Sequence, residues 1–173
     1  LYRANLDGTN ATYVRLYYPL PTEGSSIEGL VRAYALDVAG SRILWASDVD
    51  SDANAPLIHV SDLQGNPLEN LPGSASPAGF TKGSIAFHAP SETVYWVENG
   101  SAATRLMRQQ IDASAPNLVV ELPTPEARVV AEMTVDPTGR VLYWRVVGSN
   151  TLHAYDMENE SASSLEAPAT IRG

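Results

Sequence analysis

The sequence predicts an all-β protein built from repeated four-stranded units, and the spacing of its tryptophans is the main observation behind this. Trp45, Trp96 and Trp144 are separated by 51 and 48 residues, and each ends a short apolar run. Another short apolar run ends eight residues before each tryptophan, and the residues between the two runs are small and typical of turns. A repeat of about 50 residues indicates a solenoid or a propeller.

Each unit contains four such runs, which we name A to D in chain order, from the inner to the outer edge of a sheet. The runs are short, and they are bounded by Gly, Pro, Asn, Asp or Ser, as strands are. No stretch has the period and caps of a helix. Four strands in about 40–50 residues are typical of one propeller blade. The predicted fold is therefore a β-propeller of about three and a half blades, each of four antiparallel strands.

The whole chain, residues 1–173, is expected to form a single partial propeller domain. Residues 1–18 supply strands C and D of one blade, with Thr12–Tyr18 as strand D, and 19–30 form the longest predicted loop. Strands A and B of that blade are expected upstream of Leu1, so another segment or another chain should complete the ring. The predicted complete blades cover about 33–71, 83–122 and 131–167.

Composition excludes several classes of partner and site. The chain is 44% hydrophobic, which is enough to form a buried core. Its net charge of −9 argues against nucleic acid and against anionic membrane surfaces, because both attract cationic proteins. Cysteine is absent, which excludes disulfides and thiolate metal sites. No apolar run reaches the ~20 residues of a membrane span.

Two segments carry a family resemblance. Residues 1–10 read LYRANLDGTN and residues 133–144 read MTVDPTGRVLYW. This order of blocks resembles the class B repeat of low-density-lipoprotein receptors, the YWTD repeat, over nearly the whole chain. Where the family has Thr-Asp, this chain has Ala46-Ser47, Val97-Glu98 and Arg145-Val146, so the acid that links neighbouring blades in the family is kept only as Glu98. The resemblance implies a propeller that binds proteins or peptides on one face of its disk and is not an enzyme.

Three residues end strand A in successive units: Asp37, His88 and Asp136. They are the candidate binding residues, because the ends of the inner strands are expected to meet at the mouth of the central channel. Propeller enzymes gather carboxylates or a metal at that place. The alternative is that each side chain forms hydrogen bonds within its own A–B turn.

Asp48, Asp50 and Asp52 alternate in the B–C loop of one unit, as carboxylates do at the start of calcium loops. Calcium is the one cofactor that the sequence suggests. A solvated acidic loop is the alternative, because no glycine follows Asp52 and His59 stands where a calcium loop has its bidentate glutamate.

Three triplets fit N-glycosylation, at Asn10, Asn99 and Asn159, and all fall at predicted turns. They favour an extracellular or secreted protein. The expected function is non-catalytic binding of a protein, peptide or glycan on one disk face. One alternative is a propeller hydrolase or lyase acting at the channel mouth. The other is a structural half-propeller completed by another chain.

Overall fold

The computed structural model of the chain describes residues 2–3, 12–13, 17–19, 26–28, 31–47, 58–74, 80–100, 103–123, 130–136, 138–146 and 151–166. Apart from one short 3-10 turn at Ala89–Ser91, the regular structure in these residues is β-strand. The strands are β1 (Tyr2–Arg3), β2 (Thr12–Tyr13), β3 (Tyr17–Pro19), β4 (Ser26–Glu28), β5 (Val31–Asp37), β6 (Arg42–Ser47), β7 (Ile58–Asp62), β8 (Pro67–Asn70), β9 (Phe80–His88), β10 (Thr93–Gly100), β11 (Ala103–Gln110), β12 (Asn117–Pro123), β13 (Val130–Val135), β14 (Val141–Val146), β15 (Thr151–Asp156) and β16 (Ser161–Glu166).

Twelve of these strands form three four-stranded antiparallel sheets, which we call blade 1 (β5–β8), blade 2 (β9–β12) and blade 3 (β13–β16). In each blade every strand pairs with the next one along the chain. The tryptophans occupy equivalent places on the second strand, and their cross-strand partners on the third strand are His59, Met107 and His153. The predicted all-β fold of four-stranded blades is confirmed.

The structure differs from the prediction in the residues that precede blade 1. As predicted, β1 and β2 pair antiparallel, with Tyr2 opposite Tyr13. The run Thr12–Tyr18, however, is divided between β2 and β3, so its prediction as one strand was wrong. Residues 19–30, predicted as a loop, contain β4, which pairs with β3. These strands have only two or three residues, which is too short for alternation of side chains to be visible in the sequence.

The hydrophobic cores lie between the blades. One core joins Leu44 and Ile58 of blade 1 to Trp96 of blade 2, and a second joins Tyr95 of blade 2 to Trp144 of blade 3. The tryptophan of each later blade therefore packs against the blade before it. The indole rings are 0–3% exposed, which leaves no tryptophan face free for stacking on a sugar. Burying about 200 Å² of each ring accounts for much of the attraction between sheets.

The strand order fixes which turns share an edge of the sheets. In an antiparallel meander the turns after the first and third strands lie at the same edge, and the connection after the second strand lies at the opposite one. We call the first edge the turn face. Within the described residues it consists of residues 38–41, 63–66, 89–92, 111–116, 138–140 and 157–160. No helix in the described part is both long and apolar enough to cross a membrane.

Candidate binding face at the strand turns

Asp37 forms its hydrogen bonds inside the A–B turn of blade 1. It is 2% exposed. One carboxylate oxygen accepts from the backbone N–H of Gly40 at 2.8 Å, and the other accepts from Nε of Arg42 at 2.7 Å. A Cβ added to Gly40 would collide with this carboxylate. The geometry therefore assigns Asp37 to holding the turn closed.

His88 takes the corresponding place in blade 2. Its Nδ1 lies 2.6 Å from Oγ of Ser91, which in turn donates to Oγ1 of Thr93 at 2.8 Å. Ser91 aligns with Gly40 when the repeats are matched on their tryptophans. A side-chain contact between His88 and Ser91 thus replaces the carboxylate-to-backbone contact that Asp37 makes in blade 1.

Asp136 forms the most complete set of hydrogen bonds of the three. One oxygen accepts from the backbone N–H groups of Arg140 and Val141, both at 2.7 Å, and the other accepts from the hydroxyl and the N–H of Thr138. These bonds, that of the Thr138 hydroxyl above all, lower the pKa of the Asp136 carboxyl to about 2. Asp136 is therefore ionised at any ordinary pH and held within its own turn.

Neighbouring A–B turns contact one another across the blades. Arg42 of blade 1 reaches Glu92 of blade 2, with Nη2 to Oε1 at 3.7 Å. An added Cβ on Gly139 of blade 3 would lie only 2.8 Å from Nε2 of His88. The three predicted binding residues thus belong to three turns that meet in series. Each side chain is used for its own turn, and their predicted part in ligand binding stays a prediction.

The turn face also contains a polar pocket between blades 2 and 3 that the sequence did not predict. Its volume is about 380 Å³. Most of its wall comes from one face of blade 2, since Thr93 pairs across strands with Gln110 and Tyr95 pairs with Arg108. Met157, from the C–D turn of blade 3, forms an apolar part of the wall. The lining residues are His88, Ser91, Thr93, Tyr95, Arg108, Gln109, Gln110, Ala113, Asn117 and Met157.

Arg108 is the cationic group of this pocket. Its Nη2 donates to Oε1 of Glu160 at 2.6 Å, a bond that links blade 2 to blade 3 and raises the pKa of Arg108. Burial raises the pKa of the Tyr95 phenol, and the neighbouring guanidinium partly opposes this. Burial likewise raises the pKa of Tyr155. At neutral pH the two phenols are therefore protonated hydrogen-bond donors beside a permanent cation.

A second pocket occupies the corresponding place between blades 1 and 2. Its volume is about 470 Å³, and most of its lining is apolar: Arg42, Val60, Pro67, Leu68, Glu69, Leu71 and Ile111. In the aligned repeats Val60 corresponds to Arg108, and Ile111 corresponds to Met157. The turn face therefore has two pockets one blade apart, one lined mainly by polar residue types and the other mainly by aliphatic ones.

The remaining predicted sites have different outcomes. Asp48, Asp50, Asp52 and Asn10 lie outside the described residues. Among the residues that the structure describes, no group of three His, Cys, Asp or Glu side chains is placed to hold a metal ion.

The two described glycosylation candidates differ from each other. Asn159 lies in the exposed C–D turn of blade 3, where its side-chain amide donates to Asp156 at 2.8 Å. Asn99 was predicted in a turn, which was wrong. It is half-buried within β10, opposite Thr81 and Thr104, because the strand continues four residues beyond the tryptophan.

Comparison with solved structures supports the propeller fold. A chain in the crystal structure of a nidogen/laminin complex is similar, with a TM-score of 0.54 and 14% identity, over 96% of this chain and 71% of that one. TolB from Acinetobacter baumannii is similar with a TM-score of 0.62 and 15% identity, over 94% of this chain and 36% of TolB. This chain thus spans about a third of the TolB chain. Both neighbours are propellers, the fold that the three four-stranded antiparallel sheets of this chain also indicate. No protein-family model and no curated protein matches the chain.

Proposed function

We propose that this chain is a non-catalytic interaction module that binds a protein or peptide across the two pockets of its turn face. The observation that carries the proposal is the polar pocket around Arg108. It opens at the edge where the turns of all three blades lie, and the repeated sheets beneath it provide a rigid support.

The chemistry of the two pockets favours a polypeptide ligand. Arg108 and Tyr95 offer hydrogen-bond donors to a carboxylate or to backbone carbonyls, whereas the neighbouring pocket offers Val60, Leu71 and Ile111 to an apolar side chain. A peptide presents both kinds of group a few residues apart. A glycan, which was part of the expectation from sequence, gains less here because the tryptophan rings are buried.

The enzymatic alternative has less support from the geometry. A hydrolase or lyase at the channel mouth requires acid, base or metal-binding groups directed at a shared point. Asp37 and Asp136 instead form all their hydrogen bonds within their own turns. Measurable turnover of a lactone or a polysaccharide, lost in Asp37→Asn or His88→Gln, would overturn the non-catalytic assignment.

Peptide selection tests the binding proposal directly. A displayed library of random peptides is selected on the 173-residue chain, and the dissociation constants of enriched peptides are measured for the original chain and for two variants. Arg108→Gln should weaken binding at least about tenfold, because it removes the pocket's charge-assisted donor. Arg105→Gln is the matched control, since Arg105 lies in the same strand, is equally exposed and pairs with Glu121 instead. Equal effects of the two substitutions, or no enrichment, would overturn the proposal.

We propose in the same way that the protein is extracellular, that it belongs to the YWTD class, and that Asp48, Asp50 and Asp52 bind calcium. A nidogen/laminin complex among the similar structures accords with an extracellular interaction module. Secretion from a eukaryotic cell followed by mass spectrometry would detect a glycan at Asn159. Calcium titration of the chain, with Asp50→Asn as the comparison, would detect the ion site.

A second candidate function is that of one part of a larger ring that another chain or segment completes. The observation that favours it is an exposed apolar strip on the innermost strand of blade 1, formed by Tyr34, Leu36 and Val38. Apolar side chains at an inner strand are normally covered in a closed propeller, because the preceding blade lies against them.

A further inference from the structure

The strip consists of Tyr34 and Leu36, which alternate along β5 and therefore share one face of blade 1, and of Val38, which follows them in the turn. They are 49%, 51% and 81% exposed. Ala33 and Ala35, at the other alternate positions of β5, point to the opposite face, where they pack into the core shared with blade 2. We call the three exposed residues the inner strip.

The other two blades show what normally covers these positions. Tyr34 and Leu36 align with Ile85 and Phe87 in blade 2, which pack into the core shared with blade 1. In blade 3 the same positions hold Met133 and Val135, which pack against blade 2. One face of the innermost strand is therefore covered by the preceding blade in two repeats, and the same face is exposed in the first.

The inner strip continues a surface that is otherwise buried. Tyr34 lies opposite Trp45, and Leu36 lies opposite Ile43, so all four side chains share one face. Trp45 and Ile43 are at most 2% exposed. The exposure is thus confined to the innermost strand.

The two existing cores define the chemistry of that occupant. The side chains that cover Ile85 and Phe87 are small on the innermost strand, Ala33 and Ala35, and larger on the second strand, Leu44. We propose, on the basis of the ring-completion candidate above, that the inner strip binds an antiparallel β-hairpin from outside these 173 residues. Its first strand carries small residues at alternate positions, and its second strand carries larger apolar ones.

A second copy of this chain would fit less well. In a head-to-tail ring the far face of blade 3 would lie on the inner strip, and that face has Glu132 and Thr134 where blade 1 has Ala33 and Ala35. Glu132 is 79% exposed and lies 3.9 Å from Arg145. Burying this carboxylate against Tyr34 and Leu36 would remove its hydration without giving it a closer partner.

A hairpin taken from the chain itself tests the proposal. The probe is a synthetic peptide of residues 31–47, which contains β5, its turn and β6, and therefore has the required small and large residues. Its binding to the chain is measured by calorimetry for the original sequence, Leu36→Asp and Leu118→Asp. Leu118 is the matched control because it is an exposed strand leucine, 53% against 51%, on the outermost strand of blade 2.

We expect Leu36→Asp to weaken peptide binding at least about tenfold and Leu118→Asp to change it less than about twofold. Circular dichroism checks that both variants fold, and Leu36→Asn repeats the measurement without a charge. Absence of binding, or equal loss in both variants, would overturn the proposal. If the native mass equals that of two chains, and Leu36→Asp reduces it to that of one chain, the occupant is a second copy and the proposal is overturned. Peptides selected at the Arg108 pocket should bind Leu36→Asp normally, so failure here leaves the binding function standing.

Discussion

Gly139 approaches the His88 ring so closely that replacing Gly139 with alanine tests how the turns of blades 2 and 3 are joined. Its φ is +72°, in the left-handed region that side chains disfavour. An added Cβ would lie 2.8 Å from Nε2 and 3.2 Å from Cδ2 of His88, and 3.7 Å from Cγ of Pro90. Gly139→Ala therefore introduces both backbone strain and a collision with a neighbouring blade.

The two effects have separable magnitudes. Placing a non-glycine residue in the left-handed region costs about 1–2 kcal/mol. To clear the added methyl group the His88 ring must shift and lose its contact with Ser91 at 2.6 Å, which is worth about 1 kcal/mol. Gly139→Ala should thus lower the free energy of unfolding by about 2–3 kcal/mol.

A double-mutant cycle in urea, followed by circular dichroism, distinguishes the two effects. His88→Ala alone should cost about 1 kcal/mol, and in that background Gly139→Ala should cost only its backbone strain of about 1–2 kcal/mol. The coupling between the two sites is then about 1 kcal/mol. Strictly additive losses, or a Gly139→Ala variant as stable as the original chain, would show that the turns do not meet as described.

Three further outcomes are expected. The lowered pKa of Asp136 stabilises the folded chain above about pH 4, and this stabilisation is lost as the pH falls toward 2, because the unfolded chain then binds the proton first. Asp136→Asn should therefore make the fall in melting temperature over that pH range shallower. Trp144→Ala should lower the free energy of unfolding in urea by about 3–5 kcal/mol, since the ring is 3% exposed between two blades. Removing Arg108 and Glu160 singly and together should give a coupling below about 1 kcal/mol that decreases with salt, because both side chains remain partly exposed.

The sheets could be predicted because their signals recur in every repeat. Trp96 and Trp144 must each reach the blade before them, so their distance from the preceding turn is nearly constant, and the turn itself requires residues such as Asp37 and Gly40 that close it. Three copies of the same spacing are hard to produce by chance. The short pair β3 and β4 has no counterpart in the described residues of the other repeats, so no repeated signal pointed to it.

The polar pocket could not be predicted because its wall is assembled by cross-strand pairing and by a neighbouring blade. Tyr95 and Arg108 are 13 residues apart in the sequence and become neighbours only through the register of β10 and β11. Glu160 joins them from another sheet, 52 residues beyond Arg108. One signal was present: Arg108 stands where the other repeats have Val60 and Ala154, so a charged residue replaces small or apolar ones.

The difference between Arg108 and its counterparts helps to distinguish residues that support the fold from residues that are available to bind a ligand. His88 differs in chemistry from Asp37 and Asp136 but has the same role, because every blade needs its first turn closed and more than one type of side chain can close it. Positions shared in this way support the scaffold. A residue that differs from its counterparts in the other blades does not have this shared structural role, so its side chain is available for a role specific to that blade. Arg108 in the polar pocket and Glu132 on the far face of blade 3 are such positions, because each carries a charge where the other two blades have an uncharged side chain.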